Sequence, residues 1–226
     1  GSAWIVGGNA TVCSGTLWNY RWEVQENLPV TSIQAFKSVS RQPDGSVIVV
    51  GDAATLRGAL ATPPSPYPSP PPSPPPRPAF PPLPWSAVQT DSAIFEVQMY
   101  GVKWTGEEEA WIVGEQDTIL HSTDAGMTWA LHPQFGRGFR YTWRSASFGP
   151  DGRGLVVGDA RTAMRTLDGG SSWRSIFLSR ADSSADLLEV AFASDNSQCA
   201  TIVGTLGTVA HTEDGGDTWS RQTIPV

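Results

Sequence analysis

Three stretches of eight residues share one pattern, and their recurrence constrains the fold more than any other feature of this chain. Each begins with a hydroxyl residue, has Asp at the third place and Gly at the fifth, and ends in Trp. An apolar run that ends in Gly lies eight positions before each hydroxyl residue. The three stretches are residues 122–129, 166–173 and 212–219. Recurrence at intervals of 44 to 46 residues indicates a repeat architecture.

The apolar run that ends in glycine occurs five times, so the chain contains five units. Three of the intervals between these glycines are 44 to 46 residues, and one is 63 residues. The long interval contains an insertion, because Trp85 follows its glycine by 34 residues where the tryptophan of the other units follows by 15. The five glycines are Gly7, Gly51, Gly114, Gly158 and Gly204.

Each unit has the pattern of four short β-strands. Hydrophobicity alternates along residues 187–192. Residues 200–203 are continuously apolar, as in a strand that is buried on both faces. We therefore predict an all-β fold in which residues 1–226 form a single domain, a five-bladed β-propeller of four-stranded antiparallel blades. Residues 53–60 could suit a helix, but they occupy a strand position in the repeat.

The first unit begins at its apolar run, without the inner strand that precedes this run in the other units. We count 19 strands, so the first blade is predicted to lack its inner strand within this chain. An unpaired strand edge is a template for pairing with another chain. We expect a segment outside residues 1–226, or an adjacent subunit, to supply the missing strand.

The eight-residue motif is predicted to be structural. Its Asp and its hydroxyl residue accept backbone N–H groups within their own turn, and its Gly supplies a positive φ. Its Trp packs between neighbouring blades. The residues concerned are Asp124, Asp168 and Asp214 with Trp129, Trp173 and Trp219.

This pattern resembles the BNR, or Asp-box, repeat of β-propellers. It is most similar to the photosystem II stability and assembly-factor type, whose blades follow V-G-x-x-G-x-x-x-x-T-x-D-G-G-x-T-W. Three units match well, the first lacks the Asp, and the second has lost the motif to the insertion. Sialidases, sortilin-type receptors and assembly factors all carry this repeat, so the resemblance implies a fold and no particular activity.

We predict no enzymatic activity, no cofactor and no metal site. A sialidase-like mechanism needs an arginine triad and a Tyr/Glu pair, for which Tyr141 and Glu109 are unconvincing candidates. His121 and His211 recur at equivalent places in their units, which favours a structural role. A net charge of −7 argues against nucleic-acid partners. The sequence contains no stretch of 18 apolar residues, so we expect no membrane insertion.

A proline-rich insertion occupies residues 63–84, with 14 prolines in 22 residues, and is predicted to adopt polyproline II. It could be a tolerated loop, or an SH3-type ligand through Pro72, Pro75 and Arg77. We favour a third interpretation, a resemblance to the Ser-Pro-Pro-Pro modules of hydroxyproline-rich glycoproteins. That resemblance implies O-glycosylation, and Asn9 begins an N-glycosylation sequon. The predicted modification sites are Asn9, Ser69, Pro70, Pro71, Pro72, Ser73, Pro74, Pro75 and Pro76.

These features lead us to predict a secreted or cell-surface, non-catalytic structural or interaction module. Its partners would be another protein, further copies of itself in a filament, or glycans. One alternative is a chaperone-like or scaffold propeller resembling the photosystem assembly factors. The other is a carbohydrate-binding, sialidase-like propeller.

Two further features are candidates for binding or stabilisation. Cys13 and Cys199 lie in units that would be neighbours in a closed ring, so they either form a disulfide or remain two thiols. Residues 135–144 interleave Arg with aromatic side chains, a composition typical of interaction surfaces, although the aromatics could simply begin an inner strand and the arginines be solvated. The candidate patch is Arg137, Phe139, Arg140, Tyr141, Trp143 and Arg144.

Overall fold

The computed structural model describes the backbone of residues 2–8, 11–16, 21–24, 35–41, 46–52, 54–59, 86–87, 89–90, 97–136, 141–178, 184–194 and 196–222. The insertion at residues 63–84 and the sequon at Asn9 lie outside these ranges, so their glycosylation stays a prediction. Within these ranges, no helix is long and apolar enough to cross a membrane.

The described residues form five sheets that follow one another along the chain. The first contains β1 (Ser2–Gly7), β2 (Thr11–Thr16) and β3 (Arg21–Val24), and the second contains β4 (Phe36–Arg41), β5 (Ser46–Gly51), β6 (Ala54–Ala59) and β7 (Ser86–Ala87). The third contains β8 (Gln89–Thr90), β9 (Met99–Trp104), β10 (Ala110–Gly114), β11 (Ile119–Ser122) and β12 (Thr128–Leu131). The fourth contains β13 (Trp143–Phe148), β14 (Gly154–Gly158), β15 (Ala163–Thr166) and β16 (Arg174–Ser175). The fifth contains β17 (Leu187–Ala193), β18 (Asn196–Gly204), β19 (Val209–Thr212) and β20 (Ser220–Arg221).

The all-β prediction is confirmed, and the antiparallel four-stranded sheets are consistent with propeller blades. The segment that could have suited a helix is the strand β6. One strand was not predicted: β8 pairs in parallel with β12, at the outer edge of the third sheet. The N–H and C=O groups of an outer edge strand need partners, and the chain returning from the insertion passes beside this edge.

The second strands of the second, third and fourth sheets lie in the core. Every residue of β5, β10 and β14 is buried, because other sheets cover both faces of these strands. The inner strands β4, β9, β13 and β17 lie side by side in that order. Serine hydroxyls join them: Ser38 Oγ accepts the N–H of Val102 at 3.4 Å, and Ser147 Oγ accepts the N–H of Phe192 at 3.1 Å.

Glycine at the end of each second strand permits a close backbone contact. A Cβ atom on Gly51, Gly114, Gly158 or Gly204 would come within 3.0 Å of the carbonyl oxygen that precedes the inner strand of the same sheet. The residue after each glycine donates its N–H to that same oxygen at 2.8 to 3.0 Å. The repeated glycine is therefore a steric requirement of the pairing between the first and second strands.

The tryptophans of the eight-residue motif lie between sheets. Trp129 packs with Ile48 of the second sheet, Trp173 with Trp111 of the third, and Trp219 with Leu155 of the fourth. The glycine at the fifth place of each motif has a positive φ, and it faces the residue of the preceding sheet against which the tryptophan of that motif packs. At Gly170, for example, a Cβ atom would collide with the indole ring of Trp111.

The aspartates of the motif organise their own turns. Asp168 accepts hydrogen bonds from the backbone and hydroxyl of Ser172 at 2.9 and 2.6 Å, and from the hydroxyl of Thr166 at 2.7 Å. Asp124 and Asp214 have the same arrangement. Hydrogen bonds from Ser172 and Thr166 hold the pKa of Asp168 at about 2.

We predict that Gly114→Ala lowers the free energy of unfolding by about 1–3 kcal/mol, because the new methyl group has no space beneath the Gln98 carbonyl. Urea unfolding monitored by tryptophan fluorescence measures this change. Gly106→Ala is the control, since its methyl group would meet only Glu109, at 3.9 Å. Equal stability of the two variants would contradict the steric role of Gly114.

We predict that the chain loses stability as the pH falls from 4 to about 2. Asp168 has a folded pKa below its ordinary value of 3.8, so its contribution is present above pH 4 and is lost as the carboxylate is protonated. Asp168→Asn should lower the free energy of unfolding at pH 6 and reduce proton uptake on unfolding near pH 3 by roughly 0.8 proton, as the shift from 3.8 to about 2 requires. Glu107→Gln, which changes an exposed carboxylate, is the control, and an unchanged pH profile for Asp168→Asn would contradict the assignment.

Candidate functional site

The connection between the second and third strands is the same tight turn in the last three sheets. The residue that follows the glycine accepts a backbone hydrogen bond from the residue three places on, at 3.0 Å in Glu115–Thr118 and 3.1 Å in the other two turns. Both central residues have a positive φ, which is the geometry of a type I′ turn. The central pairs are Gln116 and Asp117, Ala160 and Arg161, and Leu206 and Gly207.

Two of these turns contain a side chain where the repeat pattern has glycine. The fifth sheet follows the pattern with Gly207, whereas the third and fourth sheets have Asp117 at φ 61° and Arg161 at φ 60°. Asp tolerates this conformation moderately well, but Arg does so at a cost in backbone strain. Strained residues of this kind concentrate at functional sites.

Asp117 and Arg161 line the same groove, which has a volume of about 800 Å³. The groove lies between the third and fourth sheets and is bordered by the loop after β12, the start of β13, the turn at Asp159–Arg161 and the segment after β16. Its other principal lining residues are Gln134, Phe135, Tyr141, Trp143, Met164, Ile176, Phe177 and Leu178.

The groove is largely aromatic and apolar. Phe135 and Trp143 are buried and meet edge to face, with ring centroids 6.0 Å apart, and the ring of Tyr141 lies 5.9 Å from Trp143. At the surface, Tyr141 is 46% exposed and Phe177 is 92% exposed. An exposed phenylalanine beside a preformed groove is typical of a binding surface.

Asp117 fixes the wall of the groove. Its carboxylate accepts the indole N–H of Trp143 at 3.0 Å and the backbone N–H of Gly136 at 3.2 Å, and its own N–H donates to the Tyr141 carbonyl at 2.8 Å. Burial raises the pKa of Asp117, while the hydrogen bonds from Trp143 and Gly136 act in the opposite direction. These bonds hold Trp143 and the backbone at Tyr141 in place.

Arg161 forms the opposite side of the groove. Its guanidinium donates a hydrogen bond to the carbonyl oxygen of Leu178. The backbone N–H of Ile176 donates to the Ala163 carbonyl at 3.0 Å. These two contacts hold the segment that carries Phe177 at the mouth of the groove.

The predicted patch at residues 135–144 is only partly within the described residues, and its role in binding stays a prediction. Arg137, Phe139 and Arg140 lie outside the described residues, and Tyr141 and Trp143 line the groove. Arg144 lies apart from these two residues, because adjacent residues of a strand point to opposite faces. Arg144 bonds Asp159 at 2.6 and 3.0 Å instead, and lies 4.6 Å from the centre of the Tyr100 ring.

The sequence reasoning missed Asp117, Arg161 and Phe177. A signal for the first two was present, since both depart from the repeat pattern at its second glycine. No comparable signal marks Phe177, whose position is set by a segment that follows the last short strand of its sheet.

The remaining predicted residues fall outside the groove. Cys199 is half-buried and its sulfur accepts a hydrogen bond from Asn196 at 3.2 Å, and its pairing with Cys13 stays a prediction. His121 stacks on Trp111 with ring centroids 4.0 Å apart, and burial lowers its pKa. Within the described ranges, no three His, Cys, Asp or Glu side chains are grouped as metal ligands.

Comparison with known proteins identifies the repeat. A family model described as photosynthesis system II assembly factor YCF48 matches residues 141–225. The photosystem II assembly protein Ycf48 of Synechococcus sp. (strain JA-2-3B'a(2-13)) is 31% identical over 142 residues, which are 62% of this chain. The chain spans 40% of the length of that relative.

Solved structures share the fold. YCF48 bound to D1 peptide has a TM-score of 0.56 and 17% identity, over 97% of this chain and 76% of that one. The GH74 enzyme of Niastella koreensis has a TM-score of 0.66 and 12% identity, over 97% of this chain and 36% of that one. At these identities the likeness concerns the fold alone.

These findings correct two predictions. The extracellular hydroxyproline-rich module and the secreted or cell-surface location were wrong, because the family model and the Synechococcus relative that the chain resembles are described as photosystem II assembly factors. Both predictions rested on the composition of one inserted loop and on the sequon at Asn9, neither of which determines what the surrounding blades do. Nothing supports a filament or glycan partners. The chain carries BNR-type propeller repeats that resemble the photosystem II assembly factor.

Proposed function

We propose that this chain is a non-catalytic scaffold for photosystem II assembly that binds an extended polypeptide segment of a photosystem subunit in the groove. The observation that carries this proposal is that Asp117 and Arg161 both have a left-handed backbone conformation and lie on opposite sides of one groove. Glycine would relieve the strain at both places. Its absence suggests that the two side chains are kept for what they do there.

The chemistry of the groove suits a peptide. A volume of about 800 Å³ is in the range of pockets that hold a drug-sized ligand, which is enough for a short peptide segment. Phe177 and Tyr141 offer apolar surface for an aliphatic or aromatic side chain of the segment, and Arg161 holds the stretch that carries Phe177. The similarity to YCF48, a solved structure of which holds a D1 peptide, supports the choice of a photosystem subunit as the partner.

For the fold, the proposal includes five blades around one axis. Five sheets succeed one another along the chain, and the inner strands of the last four lie side by side. β1 also packs against β4, which extends this order to the first sheet. The first blade would lack its inner strand within these residues.

We predict that Arg161→Gly weakens peptide binding at least tenfold without lowering the melting temperature, because glycine adopts φ 60° without strain. Phe177→Ala should weaken binding similarly, because it removes apolar contact surface at the groove. It should leave the melting temperature unchanged, since the side chain is exposed and contributes little to the core. The measurement is fluorescence anisotropy with overlapping peptides that cover the D1 subunit.

Leu206→Gly is the matched control for this experiment. It relieves the same kind of strain at φ 56° in the fifth sheet, away from the groove, so binding should not change. The proposal is wrong if no D1 peptide binds, or if Arg161→Gly and Phe177→Ala bind as tightly as the unaltered chain. Binding to a glycan array in place of peptides would favour a carbohydrate-binding propeller.

A further inference from the structure

We propose that His132 is a pH switch for the groove, and that protonation of its imidazole weakens peptide binding there. This inference rests on the proposed function, since it concerns the regulation of the same groove. His132 follows β12 and does not line the groove itself, but Gln134 and Phe135 of the same loop do. A change in the bonding of His132 therefore reaches the groove within two residues.

His132 begins the turn that carries these two lining residues. Its carbonyl oxygen accepts the N–H of Phe135 at 2.9 Å, and its ring atom Nδ1 accepts the N–H of Gln134 at 3.4 Å. Only a neutral imidazole can accept a bond at Nδ1, because an imidazolium has a proton on both ring nitrogens. Protonation therefore places a second donor opposite the Gln134 N–H and removes this bond.

Gln134 joins the third sheet to the fourth. Its side-chain oxygen Oε1 accepts the N–H of Trp173 at 2.9 Å, and its Nε2 donates to the carbonyl oxygen of the same residue at 3.4 Å. Trp173 directly precedes β16, which leads into the segment that carries Phe177. The loop that His132 organises is thus bonded to both sides of the groove.

The surroundings of His132 favour the neutral ring. The residue is 7% exposed and lies among aromatic side chains, with its ring centroid 5.4 Å from that of Phe135 and 5.8 Å from that of Trp111. Burial lowers the pKa of His132, and the nearby His121 acts in the same direction. The loop must therefore open before the ring is readily protonated.

Two neighbouring groups favour the cation, and they do not outweigh the burial. The backbone of Gly170 forms a hydrogen bond with the His132 ring, and the carboxylate of Asp168 attracts a proton to it, yet the pKa is lowered. Asp168 already accepts three hydrogen bonds within its own turn. The other charged group of this region, Glu109, acts on the ring of His121.

A falling pH favours the open loop. The pKa of His132 is below its ordinary value of 6.5 while the ring is buried, and it returns toward that value when the loop opens. Peptide binding, which requires the closed loop, should therefore weaken as the pH falls below about 6.5. Hydrogen bonds hold the pKa of Asp168 at about 2, so this Asp turn stays intact down to pH 5.

The first measurement is an NMR titration of the free chain between pH 7.5 and 5, in which its three histidines are followed separately. The His132 ring should titrate below pH 6.5, and the backbone amide resonances of Gln134 and Trp173 should shift with the same midpoint. In His132→Asn both amide resonances should stay constant, because the Asn oxygen takes the place of Nδ1 and binds no proton in this range.

Two further variants make this result specific. Gln134→Ala keeps the titrating ring but removes the side-chain bonds to Trp173, so the Trp173 amide should no longer follow His132. His211→Asn is the matched control. His211 contacts Thr201 at 3.1 Å in the fifth sheet, outside the groove, so its replacement should leave the titration of the Gln134 amide unchanged.

The second measurement is fluorescence anisotropy with a D1 peptide that lacks histidine and binds at pH 7.5. Its affinity for the unaltered chain and for His211→Asn should fall by roughly threefold to tenfold between pH 7.5 and 5, since one proton is coupled to binding. His132→Asn should bind this peptide equally well at both pH values.

The inference is overturned if the Gln134 and Trp173 amides do not titrate with His132, or if His132→Asn keeps the pH dependence of binding. Absence of binding by every D1 peptide would contradict the proposed function instead. The NMR titration needs no peptide, so it would then decide by itself whether His132 controls the loop.

Discussion

The close contact between a glycine and a neighbouring carbonyl is the interaction on which the rest of this structure depends. In four sheets the inner strand approaches the second strand so closely that only glycine fits, and the next residue donates a hydrogen bond to the same carbonyl. This contact fixes the register of the first two strands. With register fixed, the buried second strand presents Ile48, Trp111 or Leu155 to the motif of the following sheet, whose tryptophan and glycine pack against it. The backbone contact within a sheet and the tryptophan contact between sheets therefore repeat together.

The candidate site arises where this regularity is broken by side chains. In the last three sheets, the type I′ turn that follows the glycine has two residues with positive φ, and the repeat pattern has glycine at the second. Asp117 and Arg161 occupy that place in successive sheets, so their side chains project into the space between those sheets. Asp117 uses its carboxylate to hold Trp143 and the Tyr141 backbone, and Arg161 holds the segment that bears Phe177. The groove is thus built by residues that the fold tolerates at a cost, which is the usual sign that a place serves binding rather than stability.

The sequence predicted the features that repeat and missed those that occur once. The apolar run, the glycine and the Asp turn recur, so the strands and their antiparallel order followed from them, including the strand β6 in a segment that also suited a helix. The strand β8 was missed because its pairing depends on where the chain returns after the insertion. Arg144 was grouped with Tyr141 by proximity in sequence, although strand alternation places it on the opposite face, against Asp159 and Tyr100. The extracellular function was inferred from the insertion and from the sequon at Asn9, which describe two surface segments and not the blades that resemble an assembly factor.

The central claim is that a polypeptide segment of photosystem II occupies the groove beside Phe177. Site-specific photocrosslinking tests it most directly, with Phe177 replaced by benzoylphenylalanine and the chain mixed with isolated photosystem II assembly intermediates. A photosystem subunit should be crosslinked from position 177, and mass spectrometry should locate the link in one extended segment. The same replacement at Leu167, which is 58% exposed on an Asp turn outside the groove, should give no such product. Absence of a crosslink from position 177, or equal crosslinking from both positions, would contradict the account.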